Sequence, residues 1–156
     1  MKCAIGHDSH AFYQHLGKPL ILGGVTIMGG QPLKSNSDGD VVLHALTNAI
    51  SGLTGVNILG KIADEMCIKH GITDSSEYVK KALVYMGKSE IKHVSFSIEC
   101  LTPQLESYIH EIRLKIAELL AVDISCIGFT ATTGEELTMF GRGKGILCTC
   151  IITSSS

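Results

Sequence analysis

The stretch Asp38-Gly39-Asp40-Val41-Val42-Leu43-His44-Ala45-Leu46-Thr47-Asn48-Ala49-Ile50-Ser51-Gly52-Leu53 carries a structural and a chemical message together. Val42, Ala45, Leu46, Ala49, Ile50 and Leu53 recur at steps of three and four, the period of an amphipathic helix with one face in a core. Asp38 is the expected N-cap, because a carboxylate there can accept the first unpaired N–H groups. The opposite face carries Asp40, His44, Thr47, Asn48 and Ser51, so His44 is expected to point away from the apolar stripe and to serve a site. Asp40, one turn earlier, either orients that imidazole from behind or complements the helix dipole.

Upstream, Met1 to Gly6 reads as a strand and Pro19 to Ile27 as a hairpin whose turn is Gly23-Gly24. Downstream, Val79, Ala82, Leu83 and Met86 place a helix at 76–86. Leu105, Tyr108, Ile109, Ile112, Ile116 and Leu119 place another at 103–120. Val94, Phe96 and Ile98 alternate with Ser95, Ser97 and Glu99, and 126–131 and 146–152 are short apolar runs between turn residues, so each is expected to be a strand. Strands at both ends with helices between them predict an α+β (mixed α/β) domain of two layers, one β-sheet with helices packed on one face. Residues 1–156 read as one domain without repeat or linker, and Ser154-Ser155-Ser156 as a frayed end.

The chain has 156 residues, 45% of them apolar and 18% charged, with a net charge of −2. That length buries one core, and the dispersed charge offers no cationic stripe for a nucleic acid. No stretch is long and apolar enough to span a bilayer, and His7, Asp8 and His10 stand where a signal peptide needs an apolar run. Cys3, Cys67, Cys100, Cys126, Cys148 and Cys150 form no CxxC pair, so reduced, mostly buried thiols in a compartment such as the cytoplasm are expected.

Residues two apart on an extended backbone face the same side, so Asp8 and His10 can converge on one ion, with His44 completing the set. Two imidazoles and a carboxylate suit zinc, and three protein ligands leave a fourth tetrahedral position open, as catalytic sites do. On spacing alone each of the three also reads as an ordinary surface or hydrogen-bonded side chain. A second signal joins Thr132-Thr133-Gly134-Glu135 to Gly141-Arg142-Gly143-Lys144-Gly145. Glycines let backbone N–H groups approach an anion, arginine forks onto phosphate, and a carboxylate can hold magnesium against a diphosphate. Taken singly, each of these is also what a turn would contain.

Together, Gly6-x-Asp8-x-His10, Ser37-Asp38-Gly39-Asp40-x-x-x-His44, Ala131-Thr132-Thr133-x-Glu135 and Gly141-Arg142-Gly143-x-Gly145 resemble the 2-C-methyl-D-erythritol 2,4-cyclodiphosphate synthase family in order and separation over nearly the whole chain. The resemblance implies a homotrimer of small mixed-sheet subunits with active sites between neighbours. It also implies the reaction, an intramolecular phosphoryl transfer in non-mevalonate isoprenoid biosynthesis. There, 4-diphosphocytidyl-2-C-methyl-D-erythritol 2-phosphate becomes the 2,4-cyclodiphosphate and CMP. The implied location is the cytoplasm, or a plastid stroma if a transit peptide was removed.

By residue matching, Asp8, His10 and His44 would hold one Zn²⁺ per subunit, and Glu135 would help hold Mg²⁺ or Mn²⁺ on the substrate diphosphate. Thr133 and Asn36 would act on the phosphates in catalysis. Asn36, Ser37, Gly60, Asp64, Glu65, Thr132, Thr133, Glu135 and Arg142 would contact substrate, Arg142 lying near the trimer axis. Cys100, Pro103, Gln104 and Leu105 match the loop that receives cytosine and ribose, supplied by a neighbouring subunit. The attacking phosphate oxygen is already anionic near neutral pH, so such a site has to bring mutually repelling phosphates together rather than supply a strong base.

The chain departs from the family pattern in several places. Asn36 stands where a histidine is usual, Asn57-Ile58-Leu59-Gly60 replaces Asp-Ile-Gly, and an aspartate-rich loop survives only as Asp64-Glu65. Gln104 replaces a lysine, Lys144 an acidic residue and Met139 an aromatic. Two alternatives follow, a catalytically impaired trimeric homologue that keeps zinc and nucleotide, and another zinc-dependent phosphate-ester enzyme using a metal-bound hydroxide.

Overall fold

The computed structural model describes residues 1–15 and 17–155. Among them, β1 (Lys2–Ala11), β4 (Ile91–Glu99), β5 (Ile127–Thr132) and β6 (Gly145–Ser154) form one sheet in the order β1-β6-β4-β5. β6 runs antiparallel to both β1 and β4, and β4 runs parallel to β5, so the sheet is mixed. A separate hairpin pairs β2 (Leu20–Leu22) with β3 (Val25–Ile27). α1 (Val41–Thr54), α2 (Lys61–His70), α3 (Ser75–Val84) and α4 (Ile109–Leu120) complete the chain, with α1 packed on β1 and β6 and α4 on β5. The chain adopts the expected α+β arrangement, a mixed four-stranded sheet with helices packed against it, with the β2–β3 hairpin forming a separate two-stranded sheet. No helix of the described residues is long and apolar enough to cross a membrane.

Alternation in the strands decides which face is covered. Val94, Phe96, Ile98, Ile127, Phe129, Ile146, Cys148, Cys150 and Ile152 lie in the core beneath the helices, while Ile5 and Ile151 on the opposite face are 65% and 45% exposed. Burying each large aliphatic side chain contributes about 1.5–3 kcal/mol of transfer free energy, which makes the helix-covered face the adhesive one.

α1 forms as its periodicity predicts, but its cap and its polar face differ from expectation. The N-cap is Asp40, whose Oδ1 accepts from Val42 N at 3.1 Å and Leu43 N at 3.0 Å. Asp38 is displaced from that role because Gly39, at φ 76°, turns the chain between the two acids. Nor is the polar face an open one: Asp40, His44, Thr47 and Ser51 are all buried, because the β2–β3 turn, α3 and the 55–60 segment cover them. A helix with the sheet on one side and other elements on the other needs internal partners for its polar groups, and Thr47 Oγ1 accordingly donates to Leu43 O at 2.8 Å.

The sequence reading missed α2. Its only buried residue is Ala63, so it carries little apolar periodicity. Gly60 before it, Gly71 after it in the left-handed region, Asp64 in the first turn and Lys69 and His70 in the last are the end signals that could have revealed it. The helix expected at 103–120 begins later: the chain bends through 101–103, makes a 3-10 turn at Glu106–Tyr108, and enters α4 at Ile109. The tail is not frayed at Ser154, which is 1% exposed and pairs with both Lys2 and Ile91. Ser155 N donates to Glu90 O at 2.8 Å, and Ser156 lies outside the described residues. Of the thiols, Cys100, Cys148 and Cys150 are buried, Cys67 and Cys126 partly so, and Cys3 is exposed, so burial is the rule for half of them rather than for most.

Candidate active site

Gly6 explains how a strand and a helix bring their polar side chains together. A Cβ at that position would lie 2.3 Å from both Ala45 O and Ala49 N, so only glycine lets α1 approach β1 this closely. Asp8 and His10 follow on the same face of β1, and His44 meets them from α1. Asp8 Oδ2 lies 2.9 Å from His10 Nε2 and 2.9 Å from His44 Nδ1, and the two ring nitrogens are 3.1 Å apart. These donor atoms all fall within 4.8 Å of one another, a set able to hold a metal ion.

The donor chemistry fits a cation. A carboxylate oxygen and two imidazole nitrogens turn their lone pairs toward one point, which is repulsive until protons or a positive ion occupy it. Burial pushes the Asp8 carboxyl up, yet the His10 and His44 imidazoles, each 2.9 Å from its Oδ2, outweigh burial and hold it well below the usual carboxylate range. Asp8 therefore stays ionised and available as a ligand. Its side chain is 26% exposed and that of His10 21%, against 7% for His44, so the set opens on one side only.

That side is a cavity of about 1100 Å³, which also reaches Lys18, Lys34, Asn36, Ser37, Gly60, Asp64, Cys67 and Tyr78. Lys18 was not anticipated from sequence. Its Nζ donates to Ser35 O at 3.0 Å and Ser37 O at 2.9 Å, which fixes the 35–37 loop and sets an amine in the same cavity wall as Asp8, His10 and His44. Burial lowers the Lys18 ammonium pKa from its ordinary value while the nearby Asp38 charge opposes that shift. Asp64, expected in a loop, sits instead in the first turn of α2.

Asp40 does not orient His44. Its carboxylate caps α1 and ties down the hairpin, accepting from Gly23 N at 2.8 Å and Gly24 N at 2.7 Å. Burial raises its pKa to about 6, while bonds from Leu43, Gly24 and Gly23 pull it down. What touches the outer nitrogen of the His44 ring is Ser75, at 2.9 Å, with Ser37 Oγ farther off at 3.4 Å.

The remaining expected site residues lie elsewhere within this one chain. Thr132 ends β5, Thr133 Oγ1 accepts from Glu135 N at 3.4 Å, and Glu135 is exposed in a 3-10 turn. Arg142 is exposed and its Nε donates to Glu136 O at 2.9 Å. Cys100, Pro103, Gln104 and Leu105 occupy the bend between β4 and α4, where the Cys100 thiol donates to Thr102 O at 2.8 Å. None of these lines the 1100 Å³ cavity, and neither does Glu65, which pairs with Lys69 on α2 at 2.8 Å. β5 is three strand steps from β1 in the sheet, roughly 14 Å at the usual strand spacing.

The YgbB family model matches residues 1–155. The chain belongs to the YgbB family. Among relatives of this YgbB-family chain, the 2-C-methyl-D-erythritol 2,4-cyclodiphosphate synthase of Chlamydia muridarum is 41% identical over 154 residues, covering 97% of this chain and 86% of the relative. The bifunctional IspDF from Campylobacter jejuni superposes with a TM-score of 0.86 at 30% identity, covering 96% of this chain but 41% of that longer one. IspF from Plasmodium falciparum, solved as a CDP complex, superposes with a TM-score of 0.80 at 27% identity, over 97% of this chain and 94% of that one.

Proposed function

We propose that this chain is a 2-C-methyl-D-erythritol 2,4-cyclodiphosphate synthase. It would close the 2-phosphate of its cytidine diphosphate substrate onto the β-phosphate and release CMP, with residues 1–156 acting as one synthase domain. The observation that carries this is the meeting of Asp8, His10 and His44 within 4.8 Å at the wall of a cavity large enough for a nucleotide-linked sugar phosphate. The name of the Chlamydia muridarum relative and the CDP bound to the Plasmodium falciparum protein point the same way.

Zinc is the ion we assign to the triad, since two imidazoles and one carboxylate are its usual catalytic complement. When bound there it supplies Lewis-acid polarisation of a phosphate oxygen. The protein's own share is positioning. Lys18, fixed by two carbonyls, adds positive charge beside the ligands, and Asn36 and Ser37 on the loop it fixes offer neutral donors to phosphate oxygens. An amide at position 36 keeps a donor but cannot carry a charge there. Glu135 is assigned to the magnesium or manganese ion that accompanies the diphosphate. Six free cysteines fit a reducing compartment such as the cytoplasm.

A homotrimer with sites between subunits accounts for the separation within one chain. Thr132, Thr133, Glu135, Arg142 and the Cys100–Leu105 bend stand across the sheet from the metal ligands, and the uncovered sheet face carries the exposed Ile5 and Ile151. Burying those side chains against a neighbouring copy would bring its β5 rim to the cavity.

One assay decides the reaction. Purified protein with the cytidine substrate, zinc and magnesium is expected to give CMP and a cyclic diphosphate by phosphorus NMR. Inorganic phosphate in place of the ring would make the chain a zinc phosphohydrolase, and retained zinc and nucleotide without turnover would make it a silent binding homologue.

A further inference from the structure

Behind the His44 ring lies a hydrogen-bonded chain that joins Asp38, from the motif before α1, to Ser75, which lies outside every motif. Ser75, the first residue of α3 and 0% exposed, places its Oγ 2.9 Å from His44 Nε2. The same hydroxyl is hydrogen-bonded to Asp38 Oδ1. Asp38 in turn accepts from Ser75 N at 2.9 Å and Asp40 N at 3.0 Å, so its carboxylate is held by three donors.

Counting protons fixes the direction of this chain. An ionised carboxylate only accepts, and a serine hydroxyl owns one proton. With that proton committed to Asp38, Ser75 Oγ accepts from His44, so the ring proton sits on Nε2 and the free lone pair on Nδ1. Nδ1 is the atom that faces Asp8 Oδ2 at 2.9 Å and His10 Nε2 at 3.1 Å.

We propose that Ser75 and Asp38 are positioning residues that hold the His44 ring in the tautomer and orientation a metal ligand needs. The proposal rests on the metal-centre reading above and deepens it. Packing keeps the ring from turning: His10 meets it edge-on with centroids 5.2 Å apart, and Tyr78 lies on it tilted by 37° at 6.2 Å. The supporting carboxylate comes from the loop before α1 and the hydroxyl from the start of α3, so the ligand's orientation is coupled to how α3 docks.

The test reads the ring and the metal separately. In metal-free protein at mildly alkaline pH, nitrogen-15 NMR is expected to find the His44 proton on Nε2 in slow exchange with water. Ser75→Ala is expected to bring that proton into fast exchange and to weaken zinc binding about 10–100-fold, the usual cost of losing such a supporting partner. Asp74→Ala serves as the control for a merely loosened helix, because Asp74 caps α3 through Ser76 N at 2.8 Å and has no bond to the relay. Its zinc affinity is expected to stay close to that of the unmodified protein. A proton found on Nδ1, zinc binding unchanged in Ser75→Ala, or an equal loss in Asp74→Ala would each overturn the proposal. If the unmodified chain takes up no zinc, the metal reading falls instead, and the ring proton's position and exchange still decide whether the relay exists.

Discussion

The candidate metal corner of Asp8, His10 and His44 and the 132–142 rim are built on opposite principles, although both carry residue types suited to phosphate chemistry. Asp8, His10 and His44 sit where β1 and α1 press together at Gly6, and both His44 ring nitrogens meet partners on other elements, Nδ1 on β1 and Nε2 on α3. The rim is a loop folded largely on itself and tied to β4, where Thr138 Oγ1 donates to Glu99. Thr132 and Thr133 hydroxyls accept from backbone N–H groups two residues on, Gly141 closes against Gly134, and Glu135, Leu137, Met139 and Arg142 stay exposed. Leu137 and Met139 are 81% and 58% exposed, an apolar surface of a kind that isolated loops seldom keep without a partner. One region draws its polar side chains together within a single chain, and the other leaves its side chains on the surface.

The comparison breaks most sharply at His44. His44→Ala is expected to abolish zinc retention and product formation while costing only about 1–3 kcal/mol of stability, because the core around α1 is otherwise intact. Metal analysis of the purified variant, with circular dichroism as the fold control, checks this. Full zinc content would remove His44 from the ligand set and detach the corner from catalysis.

The next effect belongs to the rim. Glu135→Gln is expected to lower turnover about 10²–10³-fold, the order of losing one charged contact to a diphosphate-bound cation, while leaving zinc content unchanged. If the two regions meet only between subunits, mixing Glu135→Gln with His44→Ala chains in refolded assemblies recovers activity that neither has alone. The mixed assemblies contain interfaces with an intact corner from one chain and an intact rim from another. A monomeric species in sedimentation, or mixtures as inactive as their components, would dissolve the shared site.

How much of this was readable beforehand follows the same division. The period-two spacing of Gly6, Asp8 and His10 and the helical spacing around His44 are local patterns, and the structure keeps each of them. The sheet, the hairpin and three of the four helices came from the same local periodicities. Asp38 and Ser75 could not be read this way, because they are 37 residues apart in sequence and meet only once α3 docks. Asp38 was mistaken for a cap since nothing local says that Gly39 turns the chain and hands that role to Asp40. α2 escaped because it buries almost nothing. The rim's residue types were legible, but their distance from Asp8, His10 and His44 was set by strand order, which no local pattern encodes.

The smallest effect asks whether the rim holds its shape at a cost. Glu135 lies at φ 47° and Glu136 at φ 63°, two consecutive side chains in the left-handed region that disfavours residues with a Cβ. Such backbone tends to persist where function maintains it, since selection for stability alone would place glycine there. Glu135→Gly is therefore expected to raise stability by about 1 kcal/mol, seen as a rise of roughly 2–4 °C in the thermal midpoint, while turnover falls as it does in Glu135→Gln. The glutamine variant retains the Cβ and the strain, so its midpoint should not move. A glycine variant that melts lower would mean that the Glu135 side chain stabilises the loop from within, and that the rim is held by its own contacts in the way the metal corner is.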